Sequence, residues 1–381
     1  MRAADRKPNI TVVGHPNAVT HNQVIYVRLA ELGWNVTILV PARWRDEYRP
    51  DGYTPEAVDG FIGRFIRIRV LRPGVIQRHV YATRTWRWID ETRPDVLFLE
   101  NEPYGVPTAQ WLVACEAKGV PWGVQGDDNL DRPLPLPAKV IRACTMPRID
   151  FFAARSPGAS KILKTWGAKG PVGIVPHTIP EWNLPARPRQ PGARFTIGFA
   201  GRLVEQKGVR DLIDAVKQLD YPTRLLFVGG GPLAEWLRRA DAGLAEIELR
   251  TAIDADQMPA HYAEMDVLVL PSRTTATWAE QFGKSLCEAL LCGTPVIGSI
   301  SGEIPWVIET SGGGLTFPEG DAEALARQLT RLHGDTQLRT DFASVGRKGV
   351  VEHFAPRVAA KALDTLIRTA VPELGRQPDA R

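Results

Sequence analysis

The sequence predicts an α/β chain built from two doubly wound domains, each a parallel sheet with helices on both faces. Three observations predict it. Short apolar runs alternate with helical stretches through residues 1–180, the pattern of a parallel sheet with crossover helices. The pattern breaks at 181–194, where Pro185, Pro188 and Pro191 sit among arginines as a linker would. It then restarts at Phe195. A length of 381 residues also exceeds the usual size of one hydrophobic core.

Each element follows from local pattern. In the first domain, 1–180, the strand candidates are 9–14, 36–41, 95–100, 121–125, 151–154 and 172–175. Helix candidates lie at 22–32, 82–91 and 108–118. In the second domain, 195–354, strands are expected at 195–200, 224–229, 247–251, 266–271 and 295–299. Val209, Leu212, Ile213 and Val216 recur at i, i+3, i+4 and i+7, which is one face of a helix. Lys284 to Cys292 has helical composition, and Gly293 followed by Pro295 gives it a stop. A helix is expected near Pro232, and the tail 371–381 is expected to fray.

Composition bounds the function class. A hydrophobic fraction of 44% and a charged fraction of 24% are those of an ordinary globular protein. No apolar run reaches the roughly 18 residues of a spanning helix. The opening Met-Arg-Ala-Ala-Asp-Arg-Lys-Pro has no signal-peptide core. Cys115, Cys144, Cys287 and Cys292 lack CxxC spacing and read as buried or free thiols in a reducing cytosol. Residues 1–180 carry 24 Lys/Arg against 17 Asp/Glu, and 181–381 carry 23 against 26. Within 61–93 there are eight arginines and two acids, interleaved with aromatics; within 136–169, seven Lys/Arg and one acid. This basic excess reads as contact with an anionic membrane or lipid-linked acceptor, or as a solvated face. No nucleic-acid motif accompanies it.

The chemistry concentrates in two loops of the second domain. Glu280 and Glu288 have seven residues between them, around Phe282-Gly283. Glu280 is expected in a strand-to-helix loop and Glu288 one to two turns into the helix. In an open parallel sheet, ligands bind beyond the carboxyl ends of the strands, where such loops gather. Carboxylates accept strong hydrogen bonds from hydroxyls, so the pair suits a sugar and a ribose. Backbone N–H groups at the helix start suit a phosphate. Upstream, Arg202 and Lys207 cluster at a strand end before a helix, a place to hold a diphosphate without a metal.

These segments resemble the retaining family 4 glycosyltransferases of GT-B fold. The matching marks are Gly201-Arg202-Leu203 with Lys207-Gly208, Val228 to Leu233, Leu270-Pro271-Ser272, the Glu280 and Glu288 pair with Gly293 to Val296, Gly302 to Pro305, Gly313-Gly314-Leu315 and Pro318 to Asp321. The resemblance covers 195–325 strongly and the first half in layout. It implies two Rossmann-like domains facing a cleft: 1–180 for the acceptor, 195–354 for the nucleotide-sugar. It also implies a last helix at 355–370 crossing back to the first domain. By resemblance Arg202 and Lys207 grip the diphosphate, Glu280 contacts the transferred sugar, and Glu288 binds the ribose. Phe282, Gly283, Lys284, Gly201, Gly230 and Ile253 complete the donor site. The base is held largely through backbone groups, which leaves its identity open. Glu205 lies between Arg202 and Lys207, either to orient Lys207 or as a solvated turn residue. Asp254-Ala255-Asp256 spells a metal-binding pattern of another fold, but with Arg202 and Lys207 supplying the cations, no metal is required.

The acceptor side is drawn from three strand ends of the first domain: His15 and Asn17, Glu102, and Asp127. Relatives often carry a glycine pair at the first of these, a histidine at the third, and glycine at position 281, where this chain has Gln281. The expected activity is transfer of a hexosyl group, with retention, from a nucleoside-diphosphate sugar to a hydroxyl in polysaccharide or glycolipid assembly. The expected place is the cytoplasm, at the inner membrane face. A small-molecule acceptor, a nucleotide-sugar 2-epimerase-like reaction and a non-catalytic scaffold remain alternatives on the same fold.

Overall fold

The computed structural model describes residues 6–46, 49–182 and 194–374. The chain divides into two compact units, Met1–Thr178 with Pro356–Arg381, and Ile179–Ala355. Most of the proline-rich stretch 181–194 lies outside the described residues.

The first unit is a seven-stranded parallel sheet. Its strands are β1 (Asn9–Val13), β2 (Asn35–Pro41), β3 (Arg64–Ile68), β6 (Val96–Leu99), β7 (Trp122–Gly126), β8 (Phe151–Ala154) and β9 (Val172–Ile174), in the order β3-β2-β1-β6-β7-β8-β9. A small antiparallel hairpin, β4 (Val70–Leu71) with β5 (Val80–Tyr81), stands apart. The helices are α1 (Val24–Glu31), α2 (Thr85–Thr92), α3 (Val106–Lys118), α4 (Leu136–Thr145) and α5 (Pro157–Thr165). β6, β7 and β8 are buried along their whole length, as strands covered on both faces must be. The apolar cores on the two faces centre on Ile10, Val12, Ile38 and Phe98, and on Val13, Leu39, Leu97 and Trp111.

The second unit is a six-stranded parallel sheet. Its strands are β10 (Phe195–Ala200), β11 (Thr223–Val228), β12 (Ala245–Arg250), β13 (Val267–Leu270), β14 (Val296–Ser299) and β15 (Gly314–Phe317), in the order β12-β11-β10-β13-β14-β15. Its helices are α6 (Val209–Val216), α7 (Ala234–Leu237), α8 (Met258–Tyr262), α9 (Lys284–Leu291), α10 (Ile304–Ser311), α11 (Ala322–Gly334) and α12 (Thr336–Phe354). α11 and α12 begin on Asp321 and Asp335, whose side chains accept from Ala324 N and Leu338 N. Capping of this kind is worth about 1 kcal/mol per helix.

The last helix, α13 (Pro356–Ala370), belongs to the first unit. Ala359, Ala360, Leu363, Leu366 and Ile367 enter the core beside Ile10 and Ile25, and Trp34 Nε1 donates to Asp364 Oδ1 at 2.7 Å. The tail departs from expectation at its start. Pro372–Leu374 forms a turn of 3-10 helix, and the Arg368 guanidinium donates to the Leu374 carbonyl. The buried Val371 holds this turn to the core.

Three further elements differ from the sequence reading. The helix expected from Ala82 begins at Thr85, because Tyr81 is already tied to Gln110 and closes the hairpin. The helix expected near Pro232 starts at Ala234, after a turn in which Ala234 N bonds to Gly231 O. The helix expected from Asn22 opens as 3-10 over Thr20–Gln23 and turns α at Val24.

Candidate functional site

Both sheets reverse their strand order at one place, and polar side chains gather there. In the second unit the reversal lies at β10, between β11 and β13. Such a switch point leaves a crevice at the strands' carboxyl ends. The loop after β10 carries Arg202 and Lys207. The loop after β13 carries Ser272, Trp278 and Glu280.

These loops meet. Lys207 Nζ lies 2.6 Å from Glu280 Oε2, and both side chains are largely buried. Ser272 Oγ donates to the same oxygen at 2.7 Å. The Lys207 ammonium also lies 5.3 Å from the centre of the Trp278 ring. Only glycine lets the loops close this tightly. Gly208 has φ 66°, and a Cβ there would overlap the Pro271 carbonyl. A Cβ at Gly229 would likewise overlap the Gly201 carbonyl, so the loops after β10 and β11 run backbone against backbone. Leu203 N reaches Gly230 O at 2.8 Å across that contact. Arg202 is half-buried on the same loop.

Glu288 sits in the second turn of α9. Tyr262 Oη donates to Glu288 Oε2 at 2.7 Å, and Lys284 Nζ lies 3.7 Å from Oε1. Burial pushes the Glu288 carboxyl above its usual range, and Lys284 and Tyr262 pull it only part of the way back. Burial lowers the Lys284 ammonium. Gly283, at φ 75°, turns the chain into α9. Phe282 is buried in the core with Leu286 and Phe354, so its side chain anchors the loop. Ile253 packs at the edge of that same core.

Glu205 does not orient Lys207. It forms a bidentate pair with Arg210, at 3.1 and 3.0 Å, on the exposed side of the turn. Among the described residues no group of three or more His, Cys, Asp or Glu is placed to hold a metal, at Asp254 and Asp256 or elsewhere.

The first unit has its own cluster at the reversal between β1 and β6. Asn17 is fully buried, and its amide donates to Glu100 Oε2. The residue expected to meet an acceptor therefore braces the strand ends instead. Glu102, 5% exposed, is also turned inward: its Oε1 accepts from Asp127 N at 2.6 Å and Asp128 N at 3.0 Å. Burial, with the nearby Asp128 and Asp127 charges, holds its carboxyl well above the usual range. His15 lies against Trp44, ring centres 4.9 Å apart, and beside His79. Burial and the His79 charge push it down to about 3, so it is neutral near pH 7.

Asp127 is the partly open member, with 29% of its side chain exposed. Its Oδ2 accepts from Gln125 Nε2 at 2.6 Å, and its Oδ1 lies 3.1 Å from His177 Nε2. Burial works against its charge, but His177, then Arg155 and Gln125, hold it down to about 2. Arg155 bonds Glu100 at 3.2 Å and also donates to Gln125. The sequence reading assigned no role to Arg155, Tyr262 or Ser272. A charged residue directly after the wholly apolar strand β8 was the available signal for Arg155; Tyr262 had none.

Residues 194–335 match the family model described as Glycosyl transferases group 1. The matched segment lies within the second unit and takes in most of it. A GDP-mannose-dependent alpha-(1-6)-phosphatidylinositol monomannoside mannosyltransferase of Mycolicibacterium smegmatis is 31% identical over 184 residues, 46% of this chain and 48% of that protein. A 2-deoxystreptamine N-acetyl-D-glucosaminyltransferase of Streptomyces fradiae is 32% identical over 181 residues, 43% of this chain and 41% of that protein. The chain thus spans about half the length, or less, of these curated relatives. Among solved structures, a sucrose-phosphate synthase of Thermosynechococcus elongatus superposes with TM-score 0.67 at 20% identity, covering 96% of this chain and 100% of that one. At that identity the likeness speaks for the GT-B fold alone. The Lys207, Glu280 and Glu288 constellation falls inside the group 1 glycosyltransferase match. The cluster around Asp127 falls outside it.

Proposed function

We propose that this chain is a retaining glycosyltransferase that moves a hexosyl group from a nucleoside-diphosphate sugar to an acceptor hydroxyl, in polysaccharide or glycolipid assembly. One observation carries the reading. Lys207 pairs with the buried Glu280 in the loops at the strand-order reversal, and the largely buried Glu288 lies on the helix that follows, all within the segment that matches the Glycosyl transferases group 1 model.

In this reading Glu288 accepts from the ribose hydroxyls and Glu280 from those of the transferred sugar. The backbone N–H groups of Phe282, Gly283 and Lys284, at the start of α9, receive phosphate oxygens. Lys207 has three donors. One is spent on Glu280, which fixes the ammonium, and the others face the diphosphate together with Arg202. Breaking the anomeric bond puts negative charge on the departing phosphate, and fixed cations stabilise that charge where it develops. No metal is needed for this. The acceptor hydroxyl attacks from the face the phosphate leaves, through an oxocarbenium-like state, and the leaving phosphate takes its proton. The loops near Gly201, Gly230 and Ile253 complete the nucleotide site.

The acceptor belongs to the first unit, where Asp127 is the partly open carboxylate. With no helix of the described residues long and apolar enough to cross a membrane, and with the basic excess of residues 1–180, the reading places the enzyme in the cytoplasm. There it works peripherally at the inner membrane face.

The test follows nucleoside-diphosphate release from UDP-, GDP-, ADP- and dTDP-sugars with and without candidate hydroxyl acceptors. Acceptor-dependent release with a product of unchanged anomeric configuration supports the reading. Free sugar and nucleotide formed without any acceptor points to an epimerase-like reaction. Nucleotide binding with no turnover across donors and acceptors points to a scaffold.

A further inference from the structure

Helix α4 is built the wrong way round for a helix that faces water. A surface helix ordinarily turns its apolar stripe inward and its polar face out. Here Thr145 is buried, and Ala138, Ile141 and Arg142 are half-buried, while Leu136, Pro137, Val140, Ala143 and Cys144 are exposed. At the helical repeat these five fall on one outward stripe. Leu136 is 74% exposed and Val140 54%. The helix is anchored, not loose: Thr145 Oγ1 donates to the Pro103 carbonyl at 2.6 Å, and Arg142 stacks on the Trp166 ring at 4.7 Å.

The surroundings say what covers this stripe. Between Asp131 and Asp150 the chain carries Arg132, Lys139, Arg142 and Arg148 and no acid. Lys139 and Arg148 are exposed, as are Lys161 and Lys164 of the neighbouring α5. An apolar stripe flanked by cations is the make-up of a helix that lies in a lipid interface, with its apolar face among the acyl chains and its cations at anionic headgroups. A second copy of the same face would instead set Lys139 and Arg148 against cations, with Asp131, which accepts from Trp166 Nε1, as a carboxylate at its border.

We propose that α4 is the element by which this protein docks onto an anionic lipid surface, with Leu136 and Val140 entering the bilayer interface and Lys139 and Arg148 meeting the headgroups. The proposal deepens the peripheral-membrane part of the reading above and makes no use of the donor site.

The test is flotation of the full chain with vesicles of phosphatidylglycerol and phosphatidylcholine, against phosphatidylcholine alone, without nucleotide. The wild-type protein is expected to float with the anionic vesicles and to be released by high salt. Leu136→Asp with Val140→Asp is expected to lower the partition coefficient at least about tenfold, the effect of withdrawing a few buried methylenes. Lys139→Glu with Arg148→Glu is expected to lower it comparably on anionic vesicles. All four positions are exposed, so melting temperature and stabilisation by nucleotide should be those of the wild type, which separates failure here from failure of the donor site. Three results overturn the proposal. Wild-type protein stays off anionic vesicles; or the Leu136 and Val140 variant floats as well as wild type; or that variant breaks a wild-type dimer while vesicle binding is absent in both, which assigns the stripe to a second copy.

Discussion

Glu288→Gln separates the donor site from the fold more cleanly than any other single change. Glu288 is largely buried, with Tyr262 Oη at 2.7 Å and Lys284 Nζ at 3.7 Å. If it accepts charge-assisted hydrogen bonds from a ribose, exchanging carboxylate for amide removes about 1.5–3 kcal/mol. That weakens nucleoside-diphosphate affinity about 10- to 150-fold. Stability should move the other way. The Glu288 carboxyl is held above its ordinary value of 4.5, chiefly by burial, so the fold favours its protonated form. The stability linked to that proton is complete below the ordinary value and is lost as pH rises through the raised one. Glutamine never ionises and its carbonyl still accepts from Tyr262. Lys284 is 42% exposed and loses little when its partner becomes neutral. The variant should therefore melt at or above the wild-type temperature, with a margin that grows as pH rises from the ordinary value of 4.5 through the raised one. Calorimetric titration with the stabilising diphosphate, beside melts across that range, checks both halves. Unchanged affinity removes Glu288 from the donor site. A melting temperature that falls below wild type at neutral pH refutes the electrostatic account of its burial.

Three other perturbations probe the remaining parts. Lys207→Met leaves Glu280 buried without its ammonium and should cost about 3–5 kcal/mol, whereas Lys207→Met with Glu280→Leu should recover much of that; denaturant melts in which the two changes simply add would show that the pair is not coupled. Turnover of Lys207→Met should fall about 100-fold or more, and near-wild-type turnover would remove it from the charge-stabilising role. Gly208→Ala forces a left-handed φ and an overlap with the Pro271 carbonyl, so nucleotide affinity should fall along with stability; a variant equal to wild type in both would show that the close approach of the loops is dispensable. Asp127 is held down to about 2, so its contribution to stability is present above its ordinary value of 3.8 and is lost as pH falls toward 2. Asp127→Asn should remove about 1–2 kcal/mol near neutrality and flatten the acid limb of the stability profile. An acid limb identical to wild type would refute the His177 and Arg155 pairing.

The sheets were legible because parallel strands buried on both faces read as unbroken apolar runs. Val267 to Leu270 and Val96 to Leu99 leave little choice. The edge strand β3 was not legible: Arg64 and Arg67 interrupt it, and an edge needs only one pairing partner. β15 was hidden by Gly314, whose missing side chain is what lets it lie against Val296. Sequence placed Glu280 in its loop and Glu288 in its helix correctly, because each follows from neighbours a few residues away. It could not show that Lys207 holds Glu280. That contact joins residues 73 apart, and it exists because β13 rather than β12 lies beside β10, a fact of strand order that no local pattern encodes. Asn17 and Glu102 misled for a related reason. A polar residue at a strand end is recognisable, but whether it faces a ligand or braces the neighbouring strand depends on partners such as Glu100 and the Asp127 backbone.

The central claim is that the loops after β10 and β13, with α9, hold a nucleoside diphosphate through side chains and backbone rather than through a metal. Thermal stabilisation by UDP, GDP, ADP and dTDP, each with magnesium and with EDTA, tests it most directly, since a ligand that binds only the folded state raises its stability by mass action. The account predicts a shift with at least one of the four, equal in magnesium and in EDTA, and sharply reduced in Glu288→Gln. Stabilisation that appears only with magnesium, or none with any of the four, contradicts it.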